Sequence, residues 1–304
     1  MRVRHVLAST LLALVLVGCS SNAASPTGSV LVIGSGSLAG VVPVVANNTM
    51  TVGTDRLLFL LLDQQKNVPV SSPTTAVKVA VAPASGGTTP APETATFVWG
   101  IPNQRGYYFA PVSFPKGGDY HATFTITPSG TAPTTATVDL SVGDAAITAA
   151  VGSKAPSVKT PTLSDVGGDI KQVSTDTSPD PRFYQQSEDA VLAAHKPFAL
   201  LLATPAFCTS GLCGPTLDRV KAMVSAYPTV TFINVEPYKM QFTDGRLQPV
   251  LDPNGGLQAN AVSDAFGITA EPWLFTVDRS GVIRGSLEAV MSDEELKTAL
   301  DAIK

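Results

Sequence analysis

The sequence predicts two domains, an all-β sandwich over residues 30–150 followed by an α/β domain over residues 183–304. Three observations carry this reading. Residues 30–144 are rich in Thr, Val, Pro and Gly and break into short runs bounded by turn residues, with no helical periodicity. The texture changes at Val151, and residues 151–182 read as a linker and N-terminal extension carrying Pro156, Pro161, Gly167, Gly168 and Pro179. Beyond it, helical and apolar segments alternate in the order α-β-α-β-α-β-β-α. A chain of 304 residues suits two ordinary domains, at roughly 100–200 residues each.

In the first half, candidate strands are 56–62, 76–82, 94–99, 107–114, 120–127 and 135–142, at spacings that suit a sandwich. Tyr120-His121-Ala122-Thr123-Phe124-Thr125-Ile126 alternates apolar with polar, so one face is buried. The segment Gly117-Gly118-Asp119-Tyr120-His121-Ala122 resembles the tyrosine-corner region of immunoglobulin-like domains, with Ala122 where antibody domains carry cysteine. That resemblance implies an Ig-like sandwich. Upstream, Gly34-Ser35-Gly36-Ser37-Leu38-Ala39 matches the letters of a dinucleotide-binding loop. Such a loop needs a helix next, to hold the pyrophosphate at its N-terminus. The following Gly40-Val41-Val42-Pro43-Val44-Val45 is β-branched and broken by proline, so the segment reads as a tether or strand turn and no nucleotide is expected.

In the second half, 187–195 reads as a helix and 197–203 as a buried central strand. Residues 215–227 form a helix with Leu217, Val220 and Val224 on one face and Pro215 in its first turn. A second buried strand follows at 229–235, then a short helix at 257–266 closed by Gly267. Strands 273–278 and 282–286 form a hairpin across Arg279-Ser280-Gly281. Ser292-Asp293-Glu294-Glu295 is a capping box that opens a last helix.

Charge and the N-terminus bound the function. A net charge of −4 with no basic block gives no footprint for nucleic acid. Met1-Arg2-Val3-Arg4-His5 precedes the apolar run 6–17, which has the form of an export signal and is too short for a membrane span. Leu16-Val17-Gly18-Cys19 followed by Ser20-Ser21-Asn22 resembles the lipobox of bacterial lipoproteins. The resemblance implies a signal peptide at 1–18, a lipid on Cys19, a tether at 19–29, and anchoring to a bacterial membrane on its extracytoplasmic side. The simpler alternative is an ordinary secretion signal. Either destination is oxidising, where disulfides persist.

Of three cysteines, two remain, Cys208 and Cys213. A thiol is a weak nucleophile until ionised, and a helix N-terminus favours its thiolate. A second thiol within reach resolves a mixed disulfide by intramolecular attack. Cys208 lies just before a helix, and a turn through Thr209-Ser210-Gly211-Leu212, with Gly211 supplying backbone latitude, brings Cys213 to disulfide distance.

Here the residues resemble a family. Leu200 to Ala203 followed by Thr204-Pro205-Ala206-Phe207-Cys208 is similar to the strand and aromatic-Cys turn of thioredoxins. Glu271-Pro272-Trp273-Leu274-Phe275-Thr276-Val277-Asp278-Arg279-Ser280-Gly281 is similar to their second half. Val151-Gly152-Ser153-Lys154-Ala155-Pro156 is similar to the opening of the exported subgroup used in cytochrome maturation. The resemblance implies a thioredoxin-like domain in which Pro272 is cis, faces the cysteines and presents substrate backbone. It covers about half the chain. The chain departs from the family in its C-x-x-x-x-C spacing and in Leu202, which stands where thioredoxins bury a carboxylate. Two registers compete: strand-to-loop distance makes Cys208 the attacking thiol, whereas Cys213-Gly214-Pro215-Thr216 matches three letters of C-G-P-C. Distance is the physical constraint, so Cys208 is favoured. Thr204-Pro205-Ala206-Phe207-Cys208-Thr209 also resembles a class of peroxiredoxins, with one residue inserted and Pro272 in place of their arginine.

Glu271 would sit against the disulfide and tune thiol pKa by like-charge repulsion. Trp273 reads as core and Glu236 as a strand-end turn. No metal is expected, because His5 is in the signal, His121 in the β domain and His195 at a helix end. The expectation is an exported thiol–disulfide oxidoreductase acting on the thiols and disulfides of exported proteins, without a cofactor. Cys208 attacks and Cys213 resolves. The alternatives are a surface lipoprotein with a structural Cys208–Cys213 disulfide and a binding β domain, or a thiol peroxidase.

Overall fold

The computed structural model of the chain describes residues 32–33 and 40–304. Residues 1–29, which carry the expected signal peptide and tether with Cys19, and the glycine-rich segment 34–39 lie outside the described residues. No helix among the described residues is long and apolar enough to cross a membrane. The described part gathers into one compact unit with a β lobe and an α/β lobe.

The β lobe comprises β1 (Val32–Ile33), β2 (Val41–Val45), β3 (Gly53–Asp63), β4 (Val68–Pro69), β5 (Thr75–Pro83), β6 (Glu93–Thr94), β7 (Thr96–Ile101), β8 (Arg105–Phe114), β9 (Gly118–Pro128) and β10 (Thr134–Val142). One sheet runs β1-β2-β3-β8-β7 with β4 on β3; the other runs β10-β9-β5-β6. Alternation decides the buried face. In β9, Tyr120, Ala122, Phe124 and Ile126 point inward and His121 and Thr123 outward. The inner rows of the two sheets meet in one core, where Phe59 stacks on Tyr108 at 5.4 Å and takes the edge of Phe124 at 4.8 Å. Tyr120 donates its hydroxyl hydrogen to the Lys116 carbonyl at 2.7 Å, closing the turn into β9.

The α/β lobe holds α1 (Glu188–Ala193), β11 (Phe198–Leu202), α2 (Cys213–Met223), β12 (Thr231–Val235), β13 (Met240–Thr243), β14 (Arg246–Pro249), α3 (Ala261–Phe266), β15 (Trp273–Val277), β16 (Ile283–Glu288) and α4 (Asp293–Asp301). Four strands make a sheet in the order β12-β11-β15-β16, with β11 parallel to β12 and antiparallel to β15. Every residue of β11 is buried because both faces of the sheet are covered. Phe198, Leu200 and Leu202 pack with Val191 of α1 and Phe266 of α3; Ala199 and Leu201 pack with Leu217 of α2 and Leu300 of α4.

Three local outcomes differ from the sequence reading. The second helix starts at Cys213 rather than Pro215, and Pro215 still falls in the first turn, where an amide hydrogen has no partner to lose. The third helix starts at Ala261 because Asn260 caps it, its side chain accepting from the amides of Val262 and Ser263. The hairpin β13–β14 was not foreseen. The segment 151–182 does not hang free: Thr160, Thr162, Val173 and Ser174 are buried against the α/β lobe. The capping box at Ser292 and Glu295 forms as read.

The lobes meet along a polar seam. Arg56 of β3 donates to the Val290 carbonyl at 2.6 Å, pairs with the Glu295 carboxylate, and lies over the Phe109 ring at 4.6 Å. Arg219 of α2 donates to the carbonyls of Met291 at 2.6 Å and Trp99 at 3.1 Å. Glu288, nearly buried at the end of β16, accepts from the Asn48 amide at 2.5 Å and from the side-chain amides of Asn48 and Asn47.

Burial pushes the Glu288 carboxyl up to about 7, only partly offset by those donors; Glu188 and Glu236 rise to about 7 for the same leading reason. A carboxyl whose pKa is raised on folding binds more protons in the native state. Its stabilisation is present below the unfolded value near 4.5 and is lost as pH rises through about 7. The melting temperature should therefore fall between pH values of about 5 and about 8, and Glu288→Gln should flatten that fall. A melting temperature that rises across this interval would refute the assignment.

Candidate active site

Strand β11 ends at Leu202 and delivers the chain to a turn in which the Phe207 amide bonds the Thr204 carbonyl at 3.2 Å. Cys208 follows. The loop then reverses through Gly211, at φ +71°, whose amide bonds the Cys208 carbonyl at 3.1 Å. Leu212 enters α2, and Cys213 is its first residue. Cys208 and Cys213 are joined in a disulfide with their Cα atoms 6.0 Å apart. Cys213 is fully buried, whereas Cys208 is only partly so. The Cys213 amide donates to Cys208 Sγ at 3.2 Å, and the Ser210 hydroxyl lies 3.2 Å from the same sulfur. A thiolate released at Cys208 would thus face the positive end of α2.

The Glu271–Pro272 peptide is cis. Pairing of Leu202 with Trp273 brings the start of β15 beside the end of β11, so Glu271 reaches the cysteine loop. A carboxylate oxygen of Glu271 and both sulfurs lie within 4.8 Å of one another. Tyr238 donates its hydroxyl hydrogen to Glu271 Oε2 at 2.6 Å. Burial raises the Glu271 pKa, while the bonds from Tyr238 and the Thr209 amide pull it back. The trio has the donor types of a metal site, but with the sulfurs bonded to each other neither is a thiolate ligand. Among the described residues no histidine joins it: His121 pairs with Asp139 on the β9–β10 surface at 2.7 Å, and His195 sits past the end of α1.

Leu202 is core, so no carboxylate lies at that position. One lies nearby instead. Glu236, just past β12, is buried and accepts from the Thr175 amide at 2.7 Å, and Thr175 Oγ1 in turn accepts from the Ala206 amide at 3.2 Å. Its surroundings are thus those of a buried, tethered carboxyl and not of an open strand-end turn. Trp273 is core and donates to Ser286 Oγ at 2.9 Å.

The sequence reading did not link the β lobe to this loop. Arg105 donates to the Ser210 carbonyl at 2.7 Å. Leu212 is buried in an apolar cluster with Leu58, Val98, Tyr107 and Val290. Gly100 makes room for that packing, since a Cβ there would lie 2.6 Å from the Tyr107 ring and 2.9 Å from Leu212. Tyr238, Thr175 and Arg105 carry no motif; the one usable signal was a glutamate followed by proline directly after an apolar strand at Val235-Glu236-Pro237.

No protein-family model matches the chain, and no curated protein matches it. Among solved structures, MtrC from Shewanella baltica OS185 aligns at a TM-score of 0.25 and 14% identity. The alignment spans 49% of this chain and 28% of that one, and a score this low carries no argument.

The burial difference predicts a reactivity difference. After reduction under native conditions, iodoacetamide should modify Cys208 and leave Cys213 untouched. Leu212→Ala should destabilise the fold by about 2–4 kcal/mol in denaturant titrations and open Cys213 to the reagent. Equal labelling of both thiols in the unaltered protein would contradict this geometry.

Proposed function

We propose that this chain is an exported thiol–disulfide oxidoreductase whose α/β lobe is thioredoxin-like and whose β lobe is Ig-like. The carrying observation is the asymmetry of the pair: Cys208 is partly exposed with the α2 N-terminus behind its sulfur, and Cys213 is buried. The mixed sheet with helices on both faces and the cis Glu271–Pro272 bond beside the disulfide support the family reading. The Tyr120 hydroxyl bond to the chain four residues upstream supports the Ig-like reading. Lipid anchoring through Cys19 rests on the lipobox-like sequence alone.

The exchange follows from the exposed sulfur. A substrate thiolate attacks Cys208 Sγ in line with the disulfide, the Cys208–Cys213 bond breaks, and Cys213 leaves with the electron pair. The substrate's second thiolate then attacks its own half of the mixed disulfide. Cys208 departs as a thiolate opposite the helix N-terminus, the substrate is oxidised by two electrons, and the pair is reduced by two. In reverse, Cys208 attacks a substrate disulfide and Cys213 resolves. On this reading Pro272, next in sequence to Glu271, whose carboxylate lies within 4.8 Å of both sulfurs, presents the backbone of the partner. Glu271, whose pKa burial raises, is placed within reach of both sulfurs to exchange a proton with the departing thiolate.

Cys213→Ser should trap mixed disulfides with exported proteins through Cys208, and Cys208→Ser should trap none. The pair should show a reduction potential above about −300 mV, the range of exchange-active disulfides. No trapped adduct together with a lower potential would make the bond a permanent staple and overturn the proposal.

A further inference from the structure

A groove of about 550 Å³ opens beside the cysteine loop, lined by Lys171, Thr175, Ala206, Phe207 and the consecutive residues 245–248. It begins at the residue before Cys208. The other flank of the loop is occupied by the β lobe through Arg105 and Leu212. A polypeptide that reaches the Cys208 sulfur is thereby steered to the groove side.

The groove is cationic on an otherwise acidic lobe, since residues 151–304 hold 18 acidic and 13 basic side chains. Lys171 and Arg246 line it, both exposed, and neither side chain has a carboxylate partner among the described residues. The acids around it are Asp176, paired with Lys221, Glu236, buried and held by the Thr175 amide, and Asp169, which accepts from the Lys171 amide and the Gln172 side chain; none of them lines the groove. Asp244, in the β13–β14 turn, does not line the groove. Phe207 and Leu247 add apolar area. Gly245 of the turn and Arg246, Leu247 and Gln248 of β14 line it consecutively, so a stretch of extended chain runs along the groove. A groove of that form suits an extended segment.

We infer that the substrate of the Cys208–Cys213 pair is a cysteine in an extended, acidic polypeptide segment, whose carboxylates lie against Lys171 and Arg246 while its thiol meets Cys208. The inference rests on the exchange reading and adds a substrate class to it. Charges at the rim of such a site act on encounter and selectivity, and salt weakens them.

The test uses full-length Cys213→Ser protein with Cys208 held as a thiopyridyl mixed disulfide. An attacking peptide thiolate forms a bond to Cys208 and releases thiopyridone, which is read optically. Three peptides share the same cysteine and carry Glu, Gln or Lys around it. Because flanking charge also alters each peptide's own thiol, the quantity compared is the ratio of rates between this protein and its Lys171→Glu/Arg246→Glu variant. The expected result is a Glu-over-Lys preference that drops about tenfold or more in the variant and shrinks with added salt. A ratio unchanged by charge reversal overturns the inference. β-Mercaptoethanol serves as the neutral control. If it reacts normally while peptide charge has no effect, the groove assignment fails and the exchange reading stands. If it does not react, the exchange reading fails, and fluorescence anisotropy decides the groove: a labelled Glu peptide with Ser for Cys should bind this protein more tightly than the variant, and equal binding overturns the inference.

Discussion

The placement of one leucine governs much of this structure. Leu212 sits between two cross-linked cysteines in sequence, yet its side chain belongs to an apolar cluster built mostly by the β lobe. Burying a side chain of that size is worth roughly 1.5–3 kcal/mol, enough to hold a short loop that has no regular structure. With Leu212 anchored, Ser210 presents its carbonyl to Arg105, Gly211 takes the left-handed turn, and Cys213 becomes the first residue of α2. The exposure of Cys208 follows from the same anchor, because the loop cannot roll its other face outward without withdrawing the leucine.

Much of the fold was legible because the two lobes use strong local signals. Strand alternation in β9, the fully apolar β11 and the Ser292–Glu295 capping box each depend on residues close in sequence. The hairpin β13–β14 carries no sequence signal because its residues, Met240-Gln241-Phe242-Thr243 and Arg246-Leu247-Gln248-Pro249, lack clean alternation and are exposed or only half-buried. The segment 151–182 read as a linker because it has no period. Its order comes from side-chain caps and contacts such as Tyr184 to Ser174 at 2.8 Å, which periodicity does not report.

The site was legible only in part, and the division is physical. Cys208, Cys213, Glu271 and Pro272 announce themselves by type and spacing. Tyr238, Thr175 and Glu236 lie about 30 residues from Cys208 in no recognisable pattern, and only the fold brings them under the loop. Leu202 carries no carboxylate, and the buried one of this region lies past the end of the neighbouring strand. Glu236 enters from past the end of β12, where a proline directly after it stops the strand and turns the side chain inward.

The seam between the lobes is made by arginines that seek main-chain oxygen. Arg56 takes the Val290 carbonyl, Arg105 that of Ser210, and Arg219 those of Met291 and Trp99. A carbonyl is the same group whatever side chain its residue carries. In evolutionary terms, these acceptor positions are therefore free of this contact's demands, whereas the Arg56–Glu295 pair and the bonds of Glu288 to Asn47 and Asn48 stay tied to side chains on both lobes. Drift at residue 210 or 291 would leave the clasp in place, while loss of one arginine would strand a carbonyl in the seam. A comparison of related sequences would find this part of the junction recorded in three arginines alone, although it is built from backbone shape.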